Sequence, residues 1–146
     1  MAHPPVEKAC PVVLSRKDDR LTILAFRHPL AGLQLVKGTI EPGETPAEAA
    51  CRELTEESGL NAARAPTFLF ATEMPEDATC WHVYLCEVEA TPGERWHFAT
   101  EDDGGQVFAF FWQDLEADLS EDWHPVFRAV LDLLRQHLKA HPDVIR

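Results

Sequence analysis

Apolar positions in this chain recur in short clusters, most spaced for strands and two spaced for helices. Cys10–Leu14 and Leu21–Arg27 are apolar runs on either side of the polar segment Ser15–Arg20, which predicts a hairpin. Leu33–Val36 predicts a short strand, and Thr67–Thr72 and Trp81–Val88 predict two more around a turn at Pro75-Glu76-Asp77. The polar, Gly- and Pro-punctuated stretch Thr91–Gly105 reads as a loop, and Gln106–Trp112, dense in Phe and Trp, as a further strand. Pro125–Leu138 carries apolar residues at Val126, Phe127, Val130, Leu131, Leu134 and Leu138, the stripe of an amphipathic helix opened by a proline.

The other helix announces itself by its ends. Thr45-Pro46-Ala47-Glu48 is a capping box, with Thr45 as N-cap, Pro46 in the first turn and Glu48 reaching back. Ala47, Ala49, Ala50 and Leu54 are strong helix formers, and Gly59 stands where a left-handed C-cap residue is wanted. Strands flanking one early and one late helix predict a mixed β-sheet between helices, an α/β (α+β) architecture. The length, 146 residues, suits one domain spanning residues 1–146.

The early helix carries the chemistry. Glu53, Glu56 and Glu57 fall at i, i+3 and i+4, so their carboxylates crowd one face. Two carboxylates about 4 Å apart repel by roughly 4 kcal/mol at an effective dielectric near 20. A hard divalent cation relieves that repulsion, and carboxylate oxygens are the ligands Mg²⁺ or Mn²⁺ prefers. Arg52 lies four residues from both Glu48 and Glu56 and is expected between those two carboxylates. The loop Lys37–Glu44 brings backbone N–H groups and Glu44 to the same end. A solvated acidic face explains neither the like-charge stacking nor the glycine, arginine and leucine around it.

From Gly38 to Leu60 these residues resemble the Nudix box, Gly-x5-Glu-x7-Arg-Glu-U-x-Glu-Glu-x-Gly-U with U aliphatic. Gly38, Glu44, Arg52, Glu53, Leu54, Glu56, Glu57, Gly59 and Leu60 meet every fixed position. The resemblance implies an α/β/α sandwich with a catalytic loop–helix–loop, and hydrolysis of the diphosphate linkage in a nucleoside diphosphate derivative. It implies that Glu53, Glu56 and Glu57 ligate Mg²⁺ or Mn²⁺, with the Gly38 carbonyl as a further ligand. Arg52 would orient a carboxylate, and Glu44 and Gly59 would steady the motif. The general base is expected in the box, at Glu53 or Glu56, or in the later loop. There the candidates are Glu94, Glu101, Asp102 and Asp103, with Glu101 preferred because Asp102 and Asp103 resemble turn residues before Gly104-Gly105.

Charge narrows the substrate. A net charge of −12 without a Lys/Arg cluster disfavours a long nucleic acid and leaves a small phosphorylated substrate, a nucleotide first, whose charge a metal would neutralise. Val36-Lys37-Gly38 resembles the Pro-Lys-Gly of dinucleoside polyphosphate and diphosphoinositol hydrolases. Gln34, Val36 and Gly38 equally resemble the Gln-x-Val-Thr-Gly of dihydropterin triphosphate pyrophosphatases, and nucleoside triphosphates remain candidates beside both. Trp81, Trp96, Phe108, Phe110 and Trp112 are candidates to stack on a base, with core packing the commoner role. A non-catalytic nucleotide-binding module of the same fold is the competing reading; such modules usually lack one of the box acids, and all are present here.

The N-terminus has no apolar leader core and no stretch approaches 18 apolar residues, so no membrane association and a cytoplasmic location are expected. Cys10, Cys51, Cys80 and Cys86 show no C-x-x-C spacing and read as reduced thiols. His82, beside Trp81, reads as a packing residue before a substrate contact. The oligomeric state stays open, a homodimer included.

Overall fold

Alternation along the strands decides which side of the protein each helix covers. The computed structural model describes residues 4–91, 93–101 and 104–145. A mixed sheet has the order β5-β1-β7-β6, from Gly38–Thr39 (β5), Val6–Val12 (β1), Thr79–Leu85 (β7) and Thr67–Met74 (β6). In it β1 runs parallel to β7, and the other pairs are antiparallel. A second, antiparallel sheet has the order β2-β3-β9-β8, from Leu14–Lys17 (β2), Arg20–His28 (β3), Val107–Asp114 (β9) and Trp96–Ala99 (β8). Gly32–Gln34 (β4) pairs with β3. The two sheets join where the Leu24 N–H of β3 donates to the carbonyl of Val13, just past the end of β1, at 2.9 Å.

Cys10 and Val12 of β1, with Ile23 and Ala25 of β3, point into a core closed by helix α2, Pro125–Ala140. Their neighbours Val13, Leu24 and Phe26 point the other way, toward Leu54 of helix α1, Pro46–Ser58. The six apolar residues anticipated for the last helix are the six that α2 buries. Each such side chain contributes about 1.5–3 kcal/mol when fully removed from water. Layers of helix on either face of curled sheets are the expected fold class.

Several boundaries differ from the sequence expectation, the first strand running over Val6–Val12 rather than Cys10–Leu14 and the short strand over Gly32–Gln34 rather than Leu33–Val36, and three further differences have a plain physical reason. Ser15–Arg20 is not all turn: Leu14–Lys17 pairs with β3, and the turn is Asp18-Asp19, with φ of 51° and 66°. Its outer residues Ser15, Arg16 and Lys17 are exposed, so the edge strand has no apolar alternation to reveal it. Thr91–Gly105 contains strand β8, whose four residues are too few for a period to show. Trp96 and Phe98 of β8 pack on the α1-side core. Strand β7 stops at Leu85, and Val88 bridges to Ala62 in isolation.

Candidate active site

Helix α1 is held at both ends as its sequence requires. Thr45 Oγ1 accepts from the Glu48 N–H at 3.1 Å, and Glu48 Oε1 accepts from the Thr45 N–H at 2.9 Å. At the other end Gly59 has φ 78°, and its N–H donates to the Thr55 carbonyl at 2.9 Å. A Cβ at position 59 would lie 2.7 Å from the Phe98 ring, so the same residue lets β8 close on the helix end.

Between these caps Arg52 organises the acids. Its Nε and Nη2 donate to the two oxygens of Glu44 at 2.7 and 2.9 Å, a bidentate pair. Its Nη1 donates to Glu53 Oε1 at 2.7 Å and Glu56 Oε2 at 3.1 Å, and its Nη2 also reaches the Thr39 carbonyl at 3.0 Å. Arg52 therefore links Glu44, Glu53 and Glu56, not Glu48 and Glu56 as expected. Glu48 is turned back onto its cap, and Glu44 from the loop takes the bidentate place. These bonds hold Glu44 below the usual carboxylate range and raise the guanidinium above its ordinary value.

Glu53 is 7 % exposed and lies against the chain at Gly38. A Cβ on Gly38 would fall 1.9 Å from the Glu53 carboxyl carbon. The glycine is there for room, so that a carboxylate and a backbone segment share one space. Glu57 Oε1 accepts from the Lys37 N–H at 3.2 Å. The antiparallel pairing of β5 with β1 sets Lys8 opposite Thr39, and Lys8 Nζ donates to Thr39 Oγ1 at 2.8 Å. Burial, and then the nearby Lys37, lower the Lys8 pKa, while the charges of Glu53 and Glu57 raise it. Lys8 was not anticipated; a lone lysine near the N-terminus carries no local signal, and only strand pairing brings it here. The donor set of Glu53, Glu56 and Glu57 is hard oxygen, the chemistry of a Mg²⁺ or Mn²⁺ site.

The later loop is tied to the same helix. Thr100, 2 % exposed, donates its hydroxyl to the Glu56 carbonyl at 2.9 Å. Glu101 follows it and is exposed. Glu94 is paired instead with Lys17 on β2, and that contact lowers its pKa. Asp102 and Asp103 lie outside the described residues. Of the aromatic candidates, Trp81, Phe108 and Phe110 are buried core, and Trp96 stacks on Phe110 at 5.2 Å. A cavity of about 1020 Å³, lined among others by Arg16, Lys17 and Trp112, includes none of the box acids. Donor chemistry rather than volume locates the site.

Residues 6–134 match the profile of the NUDIX domain. No protein of curated function matches the chain in sequence. The fold is similar to that of the MutT NUDIX hydrolase from Burkholderia pseudomallei, with a TM-score of 0.66, 21 % identity, and coverage of 89 % of this chain and 98 % of that one. It is similar to a nudix hydrolase family member from Chromobacterium violaceum, with a TM-score of 0.70, 18 % identity, and coverage of 99 % and 91 %. An ADP compounds hydrolase gives a TM-score of 0.64 at 24 % identity, over 93 % of this chain and 75 % of that one.

Proposed function

The chain belongs to the Nudix family of hydrolases, which act on phosphorus-containing anhydrides, and from that premise we propose that it is a Mg²⁺- or Mn²⁺-dependent nucleotide pyrophosphohydrolase. The observation that supports this best is Glu53, a carboxylate 7 % exposed, pressed on the Gly38 backbone and bonded to Arg52 at 2.7 Å. Burying a carboxylate that far calls for positive charge nearby, and a divalent cation would supply it alongside Arg52, which also binds Glu44 and Glu56. Glu53, Glu56 and Glu57 would hold the metal, with the Gly38 carbonyl as a further ligand. When bound, the metal supplies Lewis-acid neutralisation of the diphosphate.

The protein's own groups supply the rest. Arg52 fixes the directions of Glu53 and Glu56, so the ligand face is preorganised before substrate arrives. Lys8 places a positive charge beside Glu53 and Glu57, where a substrate phosphate would meet it. The bond between Thr100 and the Glu56 carbonyl ties the segment that carries Glu101 to helix α1, and Glu101 would take the proton of the attacking water. Arg52 positions groups and touches no substrate. Among the described residues no helix is long and apolar enough to cross a membrane.

The substrate class is a nucleoside diphosphate derivative, and the test is a panel. Nucleoside triphosphates, dinucleoside polyphosphates, ADP derivatives and dihydropterin triphosphate would be offered with Mg²⁺ or Mn²⁺, reading released phosphate or pyrophosphate. The ADP compounds hydrolase is what places ADP derivatives in the panel. Metal-dependent turnover of at least one member is expected. No turnover of any, or equal turnover after chelation, would overturn the assignment.

A further inference from the structure

Three side chains with different donor atoms meet on the α1 face of the mixed sheet. Cys80 and His82 are two apart on β7 and project to one face, and Glu7 stands directly opposite Cys80 on the parallel neighbour β1. Two residues on, Ala9 packs beneath Ala49 and Ala50 of α1, which fixes the face. Cys80 Sγ lies 3.9 Å from His82 Nε2, and Glu7 Oε2 lies 2.9 Å from the same nitrogen. All three donor atoms fall within 4.8 Å of one another. From the other side β6 places Glu73 opposite Cys80. Burial first, then the hydrogen bond and charge of Glu7 and the charge of Glu73, push the Cys80 thiol up.

We infer that Glu7, Cys80 and His82 form a site for a borderline-soft divalent transition-metal ion of the Zn²⁺ class, separate in donor chemistry from the carboxylate site of α1. A tetrahedral ion with bonds of about 2.3 Å to sulfur and 2.0–2.1 Å to nitrogen and oxygen separates its ligand atoms by roughly 3.3–3.6 Å. The observed 3.9 and 2.9 Å straddle that range, and small side-chain rotations reach it. Glu7 is half exposed and free to make them. On binding, the thiol proton leaves to solvent as the thiolate–metal bond forms, His82 binds as neutral imidazole through Nε2, and the ion replaces the Glu7–His82 hydrogen bond. Three protein ligands leave a fourth place for water or for the Glu73 carboxylate. Sulfur and nitrogen donors select against Mg²⁺, which prefers oxygen alone, so Mg²⁺ would not occupy this site. The inference is independent of the proposed hydrolysis.

Cobalt(II) titration of the reduced, metal-stripped full chain tests it, with Co²⁺ as the absorbing stand-in for Zn²⁺. A thiolate-to-cobalt charge-transfer band should grow to saturation at a single equivalent, vanish on adding Zn²⁺ and persist on adding Mg²⁺. Cys80→Ser should abolish the band, whereas Glu53→Gln should keep it. Glu7→Gln and His82→Gln should each weaken Co²⁺ binding by about tenfold or more. Glu7 is exposed, so its variant keeps the test decisive should Cys80→Ser fail to fold. The assignment is overturned by no band in the wild-type protein, by a band surviving in Cys80→Ser, or by unchanged affinity in Glu7→Gln.

Discussion

Adding a methyl group at Gly38 probes the central geometry of the proposed catalytic site. An ideal Cβ there lies 1.9 Å from the Glu53 carboxyl carbon and 2.1 and 2.4 Å from its oxygens, whereas ordinary contact begins near 3.4 Å. The carboxylate would have to retreat by roughly 1.5 Å. Arg52 holds it at 2.7 Å and the side chain is only 7 % exposed, so that retreat breaks a bond in a packed space. Overpacking of this kind costs about 1–3 kcal/mol of stability. A misplacement on the order of 1 Å at a catalytic group costs about 100-fold in rate. Gly38→Ala should therefore lower kcat by about two orders of magnitude and shift urea unfolding to lower concentration. Glu53→Asp draws the carboxylate back by one methylene. The double variant should recover stability relative to Gly38→Ala alone, with a coupling of about 1 kcal/mol or more, while turnover stays low because the proposed metal ligand would no longer reach. Stability changes that simply add, or a Gly38→Ala enzyme within severalfold of wild-type turnover, would refute the reasoning.

Glu53→Gln and Glu57→Gln should each cut metal-dependent turnover by about two orders of magnitude or more, and near wild-type rates in either would remove that residue from the metal set. Millimolar Mg²⁺ or Mn²⁺ should stabilise the fold by roughly 2.7 kcal/mol at a hundredfold excess over Kd, measured by thermal melts. An equal shift in the Glu53/Glu57 double Gln variant would place the stabilising ion elsewhere. Glu101→Gln should lower kcat strongly yet leave the metal-induced shift intact; unchanged kcat would move the base into the box, to Glu53 or Glu56. Glu44, held below its ordinary pKa by Arg52, contributes stability that is present above the unfolded carboxylate value and lost as pH falls through its lower folded value. Acid titrations of wild type and Glu44→Gln should therefore diverge above that window and converge below it, and parallel curves throughout would contradict the Arg52 pairing.

The sequence by itself determined what is local. The cap at Thr45, the left-handed stop at Gly59 and the shared face of Glu53, Glu56 and Glu57 follow from spacings within one helix, because α-helical neighbours are three and four residues apart. The buried stripe of α2 was legible for the same reason. Tertiary structure decided what strand pairing brings together. Lys8 meets Thr39 because β1 runs antiparallel to β5, and Glu7 meets Cys80 and His82 because β1 runs parallel to β7. Glu44 displaced Glu48 as the partner of Arg52 because the loop before α1 folds back over the helix, a path that helical spacing does not contain. Strands β2 and β8 escaped notice because a short, half-exposed strand takes its stability from its partner rather than from a period of its own. Pair register is a property of two segments at once, and one segment read alone carries no record of it.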